Sequence, residues 1–338
     1  MVSLLESLRQ TSLVDCDTMD AEVANSLGPF IDCTSNQAIA YSELIKVDPD
    51  TRALYHKDLI SEAIADAQGP LNHLQVSLCF EEFVVEILMV KLQLQFLHTV
   101  TGYIHVQTNP KLCYSTPATV KNARRIGSIF KSLAPDADPG RLCVKIPATW
   151  EGLQACRTLE AEGIATLATT MFCMEQAALA AAVNCTYIAP YVNELRVHFE
   201  KGYVDRDKAF DFCRQAQAYY ARHSYRTQVL AASLTSVDEV MQLAGIQHIT
   251  VAPQLLQELS SRDTSSWDGQ LGAYLAQSPS DSRWEVTEFK AIVGDEASWR
   301  LVFTRSGFGA GEGKMIQAIN YFSDFQEKIE HLVRCQQN

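Results

Sequence analysis

The stretch that decides the fold reads Val144-Lys145-Ile146-Pro147-Ala148-Thr149-Trp150-Glu151-Gly152-Leu153. The apolar residues before the lysine, at 142–144, predict a short buried strand. After the proline and threonine we expect a helix to begin, with Glu151 in its first turn near the positive end of the helix dipole. Lys145 is therefore expected at the carboxyl end of an interior strand.

Two interpretations of Lys145 are open at this point. A buried ammonium group is costly, and the neutral amine that burial favours is a nucleophile that forms Schiff bases with carbonyl substrates. Alternatively, the aliphatic stem follows the strand and leaves the charge in water, which is a purely structural role. The residues at the ends of the other predicted strands are needed to choose between them.

The composition and charge argue against several classes of protein. The chain has 338 residues, of which 47% are hydrophobic, so a large core is expected. Its net charge of −12 argues against nucleic acid or an anionic membrane surface as a partner. The most apolar segment, 83–100, is interrupted by Glu86, Lys91 and His98, which favours a buried helix over a membrane span.

The amino-terminal residues and the cysteines indicate a cytoplasmic protein. Residues 1–9 lack a basic region followed by a long apolar run, so we expect no signal peptide. Ten cysteines are scattered without a C-x-x-C pair, which is typical of reduced thiols in the cytosol. The eight histidines have no metal-ligand spacing, so we expect no metal site.

Short apolar runs alternate with helical segments along the chain. A long helical region is expected over 37–101, and a helix at 118–132 is expected to carry Arg124 and Arg125 on its outer face. This alternation predicts an α/β fold, a parallel (β/α)8 TIM barrel. The predicted strands are residues 13–17, 30–34, 103–107, 142–145, 164–169, 186–191, 228–233 and 248–251.

Additional helices are expected at both ends of the barrel. Residues 4–10 form the amino-terminal one, and the carboxyl-terminal helix, at about 313–335, is expected to pack outside the barrel. Because the sequence contains no repeat and no low-complexity linker, we expect a single domain over residues 1–338.

Polar residues follow most of the predicted strands. In a parallel barrel the active site lies at the carboxyl ends of the strands, so these side chains are expected on one face. A polar residue at one strand end is ordinary, but a ring of them around a lysine favours the nucleophile over the structural role. The set is Asp17, Asn36, Gln107, Lys145, Thr169, Tyr191 and Ser233.

With these residues in place, the chain resembles the transaldolase family, the Schiff-base-forming barrels of sugar metabolism. Residues 145–152 match the family's lysine motif and are the most specific signal. Residues 32–36 resemble its D-x-T-T-N-P segment, with Gln37 where the proline belongs. Residues 190–192, 232–233 and 249–256 resemble the segments around the last strands.

The resemblance implies a role for each matching residue. Lys145 would form a covalent imine with the substrate ketone, so that no separate cofactor is needed. Asp17 would handle the proton of the hydroxyl beside the cleaved bond, and Thr169 would help to hold a catalytic water. Asn36 and Ser233 would hold substrate hydroxyls or order the lysine.

Three departures from the transaldolase pattern surround the expected water. Gln107 stands where the family has a proton-shuttling glutamate, and an amide cannot act as an acid or base near neutral pH. Tyr191 replaces the usual phenylalanine and adds a hydroxyl, and Ala189 replaces a nearby serine. This set is similar to that of the small fructose-phosphate aldolase relatives, which release the carbonyl compound instead of transferring it.

Two further departures concern phosphate. Transaldolases hold the sugar phosphate with two arginines, and this chain has Glu194 and Thr235 at the corresponding positions. Arginine binds phosphate through a bidentate fork, so its loss should remove affinity for phosphosugars. Arg196 could substitute if the loop carries an insertion. On a continuous helix it would point elsewhere, because two residues turn by about 200°.

The leading hypothesis is therefore a Schiff-base enzyme that makes or breaks a carbon–carbon bond of an unphosphorylated carbonyl compound through Lys145. One alternative is a transaldolase of the pentose phosphate pathway with a rearranged phosphate site. Another is a non-catalytic binding protein on a decayed scaffold, although decay should also have struck Lys145 and Asp17. Because family members are commonly oligomeric, the resemblance is also compatible with a homo-oligomer.

Overall fold

The computed structural model describes residues 2–277 and 286–337. Eight parallel strands close into a barrel in the order of the chain, which confirms the (β/α)8 fold with additional terminal helices. Among the described residues, no helix is both long and apolar enough to cross a membrane. The strands are β1 (Leu13–Asp17), β2 (Cys33–Thr34), β3 (Ile104–Gln107), β4 (Leu142–Pro147), β5 (Ala165–Met171), β6 (Tyr187–Pro190), β7 (Gln228–Ala231) and β8 (His248–Val251).

Helices connect the strands and cover the outside of the barrel. The residues at 37–101, expected as a helical region with helices at 57–68 and about 81–97, contain three α-helices, α3 to α5. The helices are α1 (Leu4–Leu8), α2 (Ala21–Leu27), α3 (Gln37–Leu44), α4 (Lys57–Gln68), α5 (Phe80–Leu94), α6 (Thr116–Leu133), α7 (Trp150–Ala161), α8 (Met174–Ala182), α9 (Arg196–Phe199), α10 (Phe210–His223), α11 (Val237–Gln242), α12 (Pro253–Ser261), α13 (Ala273–Ala276), α14 (Val286–Ile292), α15 (Glu296–Arg305) and α16 (Ala310–Gln336).

The strand register aligns the polar strand ends. Gln107 of β3 lies opposite Lys145 of β4, and Asp17 of β1 lies opposite Thr34 of β2. Because side chains alternate between the two faces of a strand, each of these pairs projects to the same side. The carboxyl ends therefore present their polar groups at one end of the barrel.

The second strand is shorter than the sequence predicted. It was expected over 30–34, but only Cys33 and Thr34 pair regularly with a neighbouring strand. The side chain of Asp32 accepts a hydrogen bond from the backbone nitrogen of Tyr103 at 2.7 Å. At the start of this strand, the carboxylate of Asp32 thus takes the place of a backbone carbonyl in a hydrogen bond between strands. The hydrophobicity of residues 30–34 alone could not predict this.

Arg125 was expected on the outer face of its helix, and that expectation is wrong. The residue is 7% exposed, and its guanidinium binds Glu86 of α5 through two hydrogen bonds of 2.5 and 2.6 Å. Glu86 is one of the charges that interrupt the apolar run at 83–100, and Asn122 also donates to it at 2.7 Å. Arg125 on α6 is therefore buried because its partner, Glu86 on α5, is buried.

The carboxyl-terminal helix α16 lies outside the strands and packs across α3 and α5. It also reaches the carboxyl end of the barrel, because its buried Phe322 joins an apolar cluster with Ala38, Tyr191 and Leu195. The helix therefore covers the end of the barrel that carries Lys145.

The barrel interior contains a second group of ionisable residues. Asp15 binds His248 at 3.0 Å, and Asp32 binds His105 at 2.8 Å, with all four residues buried. Burial raises the pKa of Asp15 to about 7. Burial also opposes the charged form of His248, but its hydrogen bond with Asp15 raises the pKa of the imidazole above its usual value.

Candidate active site

Lys145 lies at the carboxyl end of β4 and is 3% exposed. Its Nζ donates to the backbone oxygen of Ser35 at 3.1 Å, and no ion pair involves it within the described residues. Its strand neighbours are Gln107 on one side and Leu167 on the other. An amine in such surroundings has little water and no counter-charge at contact distance, which does not fit the solvated structural role.

The structure explains why residue 152 of the lysine motif is glycine. A β-carbon at Gly152 would collide with the carbonyl oxygen of Pro147, because α7 begins directly against the end of β4. Thr149 caps this helix by accepting a hydrogen bond from the nitrogen of Gly152 at 2.9 Å. The motif therefore fixes the turn that follows Lys145.

Asp17 is held in place by two threonines. Thr34 Oγ1 donates to Asp17 Oδ1 at 2.7 Å and lies 2.5 Å from Thr250 Oγ1. Because a hydroxyl has one hydrogen and Thr34 gives its own to the carboxylate, Thr250 must donate to Thr34. Asp17 keeps its second oxygen for the pocket that it lines.

Gln107 is a buried amide without a protein partner. The residue is 2% exposed, and neither its oxygen nor its nitrogen has a hydrogen-bond partner among the described residues. An unpaired buried polar group costs about 1–3 kcal/mol, so a group that binds both atoms would be stabilised here. Beside Lys145, this amide can orient a substrate oxygen or a water by donating and accepting at once.

Thr169 and Tyr191 are joined by a direct hydrogen bond. Thr169 Oγ1 donates to the hydroxyl of Tyr191 at 3.1 Å, and both residues are buried. The tyrosine ring lies edge-on to Phe172, with 5.7 Å between the ring centroids. Since the phenol oxygen accepts from Thr169, its own hydrogen remains available for donation near the pocket.

Asn36 is both a helix cap and a residue of the pocket. Its Oδ1 accepts from the backbone nitrogens of Ala38 and Ile39 at 2.9 and 3.0 Å, which starts α3. Gln37, at the position where the family pattern has proline, donates instead to the backbone oxygen of Thr108 at 3.1 Å. The cap fixes the side chain of Asn36, so its amide nitrogen is a rigid donor.

A cavity of about 480 Å³ brings these elements together. Of the residues that the sequence suggested, Asp17, Asn36, Lys145, Tyr191 and Ser233 line it. Sequence reasoning missed other lining residues, because only the fold carries them to this end of the barrel. They include Lys46, Leu195, His198, Phe199 and Phe322.

His198 contacts the predicted substrate-binding serine. Its Nε2 lies 2.9 Å from Ser233 Oγ, which donates to the backbone oxygen of Asn193 at 2.8 Å. Nε2 must therefore carry the hydrogen and donate to the serine. Burial lowers the pKa of His198, against the opposing influence of Asp17 and Glu239, so the neutral imidazole is the favoured form at neutral pH.

Lys46 carries a second positive charge at the cavity, but this charge is already paired. Its Nζ lies 2.7 Å from Asp20 and 2.6 Å from Glu43. All three residues line the cavity, so the lysine brings at least as much negative charge with it. This part of the cavity does not favour an anion.

The remaining predicted residues do not line the cavity. Gln107 and Thr169 are buried beside Lys145 and Tyr191, and the other three are held elsewhere. Ala189 belongs to the apolar barrel interior. Glu194 accepts hydrogen bonds from Tyr203 and, at 3.1 Å, from Gln317 of α16. Thr235 donates to Glu239 through its backbone nitrogen and its hydroxyl at 2.7 and 3.0 Å.

Arg196 does not reach the cavity either. It forms an ion pair with Glu200 at 2.7 Å and lies over the ring of Tyr203, 4.3 Å from its centroid. These contacts hold it on the outer side of α9, beside the carboxyl-terminal helix. Arg196 is therefore not placed to bind a phosphate in the cavity that Lys145 lines.

One group of buried side chains has the composition of a metal site. Ligand atoms of Asp15, Asp32 and His248 lie within 4.8 Å of one another. However, Asp15 already binds His248, and Asp32 already binds His105. The carboxylates are therefore satisfied by imidazole hydrogens, and the group is fully accounted for as two buried pairs.

A parallel barrel with a buried lysine at the carboxyl end of one strand is an arrangement that enzymes acting through a Schiff base use. The family model described as Transaldolase/Fructose-6-phosphate aldolase matches residues 14–295. The chain belongs to this family and is an enzyme of the aldolase or transferase type.

Several relatives match nearly the whole chain. A transaldolase of Chlamydia felis is 31% identical over 305 residues, which cover 88% of this chain and 89% of the relative. A transaldolase of Cellvibrio japonicus is 29% identical over 341 residues and a probable transaldolase of Dictyostelium discoideum 27% over 344 residues, each covering 99% of both chains. Membership of one family fixes the fold, while the substrate can differ among its members.

Proposed function

We propose that this enzyme makes or breaks a carbon–carbon bond of an unphosphorylated carbonyl compound through an imine on Lys145, without a separate cofactor. The observation that carries the proposal is the charge around the cavity. Within residues 2–277 and 286–337 no arginine lines it, and Lys46, its other lysine there, lies between two carboxylates. A phosphate here would meet Asp17, Asp20 and Glu43 without a bidentate partner.

The mechanism follows from the positions of the side chains. Lys145 Nζ attacks the ketone carbon, and the carbinolamine loses water to give the iminium ion. Asp17 then takes the proton of the hydroxyl beside the bond to be cleaved. The electron pair of that bond moves into the iminium to form an enamine, and an aldehyde leaves.

The fate of the enamine separates an aldolase from a transferase. Protonation and hydrolysis release the ketone, whereas capture of a second aldehyde transfers it. We assign the proton that the enamine carbon gains to the hydroxyl of Tyr191, and the resulting tyrosinate then takes the proton of the water that Gln107 orients for attack on the iminium. Thr169 supports it by donating to the phenol oxygen.

A second candidate is the transaldolase reaction between sugar phosphates, which the names of the relatives favour. The positions of Glu194, Thr235 and Arg196 count against it, since none of them lines the cavity. The third hypothesis, a non-catalytic binding protein, fits poorly with a family of enzymes and with the ordered contacts of Lys145 and Asp17.

The test is reduction with borohydride in the presence of dihydroxyacetone or fructose, followed by mass spectrometry of the labelled peptide. Lys145 should carry the adduct, Lys145→Ala should lose it, and Lys46→Ala should retain it as a matched lysine variant. Cleavage of fructose is then compared with that of fructose 6-phosphate. A large preference for the phosphate, or turnover of fructose 6-phosphate with erythrose 4-phosphate as acceptor, would favour the transaldolase reaction.

A further inference from the structure

The walls of the cavity differ from its floor. Around Lys145 the floor is polar, with Asp17, Asn36, Tyr191 and Ser233. Of the rest of the lining, one part is charged, with Asp20, Glu43 and Lys46, and another part, the apolar wall, is carbon. The wall residues that carry this surface are Ala38, Ile39, Leu195, Phe199, Pro253 and Phe322.

Four separate parts of the chain build this wall, one of them α12 with Pro253. Ala38 and Ile39 belong to α3, Leu195 and Phe199 to the segment after β6, and Phe322 to α16. Phe322 and Leu195 are 0% and 5% exposed and pack with Ala38 in one cluster. The wall is therefore a continuation of the core, with fixed side chains instead of mobile ones.

Phe199 extends the apolar surface to the mouth of the cavity. It is 37% exposed, and it packs against Tyr321 and Phe325 of α16 with ring centroids 4.6 and 5.2 Å apart. An aromatic ring that is held in this way at a rim offers a ready surface to a ligand at a low entropic cost.

A sugar chain does not suit this wall. Each hydroxyl that moves from water to carbon without a new hydrogen bond costs free energy, whereas each methylene that does so gains it. The carbons next to the imine can use the polar floor. The part of the substrate that leaves as an aldehyde lies farther from Lys145 and meets the wall.

We propose that the aldehyde half of the substrate carries an apolar group, a ring or an alkyl chain, which packs against Phe199, Ile39 and Pro253. This inference rests on the proposed aldol function and specifies its substrate class. The cavity, at about 480 Å³, is large enough for such a group together with a small ketone on Lys145.

The test is aldol addition of dihydroxyacetone to a series of straight-chain aldehydes from propanal to heptanal. Burial of one methylene contributes about 0.8 kcal/mol, so kcat/KM should rise about fourfold per carbon until the cavity is full. Glyceraldehyde and glyceraldehyde 3-phosphate should fall below butanal. A flat or falling series, or a preference for either glyceraldehyde, would overturn the inference.

Variants locate the effect. Phe199→Ser changes a rim residue whose ring is partly in water, and it should reduce the gain per carbon at least twofold without loss of folding. Phe308→Ser is the matched control, because Phe308 is fully exposed and does not line the cavity. An unchanged series in Phe199→Ser would contradict the proposed wall.

Borohydride trapping separates this inference from the function on which it rests. If Lys145 forms no adduct with dihydroxyacetone, the proposed function fails. If the adduct forms and the alkanal series is flat, or no alkanal reacts, the function stands and the apolar substrate class is wrong.

Discussion

Tyr191→Phe removes a single oxygen atom from the candidate site, and its consequences can be estimated from the structure. Thr169 loses its acceptor at 3.1 Å and is left with a buried, unpaired hydroxyl. Such a loss costs about 1 kcal/mol of unfolding free energy. If the phenol also supplies the proton for imine exchange, its removal should lower kcat by about 100-fold, in the range of general acid catalysis.

Tyr220→Phe is a matched control for this change. Tyr220 is likewise a buried tyrosine, and its hydroxyl donates to the backbone oxygen of Ala177 at 2.8 Å, between α10 and α8. Both variants should lose a similar unfolding free energy in urea denaturation. Only Tyr191→Phe should slow the release of the ketone in single-turnover measurements.

Two outcomes would refute this reasoning. If Tyr191→Phe kept kcat within about threefold of the parent enzyme, the phenol would have no part in proton transfer. If Tyr220→Phe lost as much activity as Tyr191→Phe, the effect would be one of stability and not of chemistry. The borohydride adduct on Lys145 should still form slowly in Tyr191→Phe, because the nucleophile is intact.

Further predictions concern charge. Arg125→Leu leaves its partner carboxylate on α5 buried and unpaired, so the unfolding free energy should fall by about 3–5 kcal/mol in urea denaturation. Arg124→Leu, next to it on the exposed side of α6, should change that free energy little. The raised pKa of Asp15 means that the folded state keeps a proton which the unfolded state releases, so stability should fall as pH rises from about 4 to 7, and Asp15→Asn should flatten this dependence. Asp20→Asn keeps a helix cap but relieves Lys46 of one carboxylate, so KM for a phosphorylated aldehyde should fall about threefold, and less at high salt.

The sequence predicts the barrel well, because apolar runs and helical periods report directly on a repeated α/β pattern. It also predicts which side chains follow the strands, and the structure gathers Asp17, Asn36, Lys145, Tyr191 and Ser233 around one cavity. This success has a simple reason. In a parallel barrel the chain position of a strand end fixes its place in space.

Residues outside the strands could not be predicted in this way. Phe322 lies on a helix whose apolar stripe shows that one face is buried, but not which part of the barrel it covers. His198 lies in a segment whose path depends on contacts with α16. Arg125 looked like a surface charge because its partner is 39 residues away in the sequence.

Glu194 and Thr235, at the two positions where the transaldolase pattern has arginine, both form contacts with other parts of the protein. Glu194 contacts Gln317 through its side chain, and its backbone nitrogen donates to Asp205, which pairs with Lys314 of α16 at 3.0 Å. These hydrogen bonds and this ion pair hold the segment after β6 against α16. They do so at the position where the transaldolase pattern has a phosphate-binding arginine.

Thr235, at the second position, is likewise held by contacts within the protein. Thr235 donates to Glu239 of α11, and Glu239 also accepts from Asn193, next to Glu194, and pairs with Lys208 at 2.6 Å. One network thus ties the segment after β6 both to α11 and to the helix that carries Phe322. A substrate phosphate would have to break this network, whereas an apolar group needs the wall that it holds together. The resemblance implies phosphate-binding arginines at both positions, and here contacts within the protein occupy them, which supports the proposed unphosphorylated substrate.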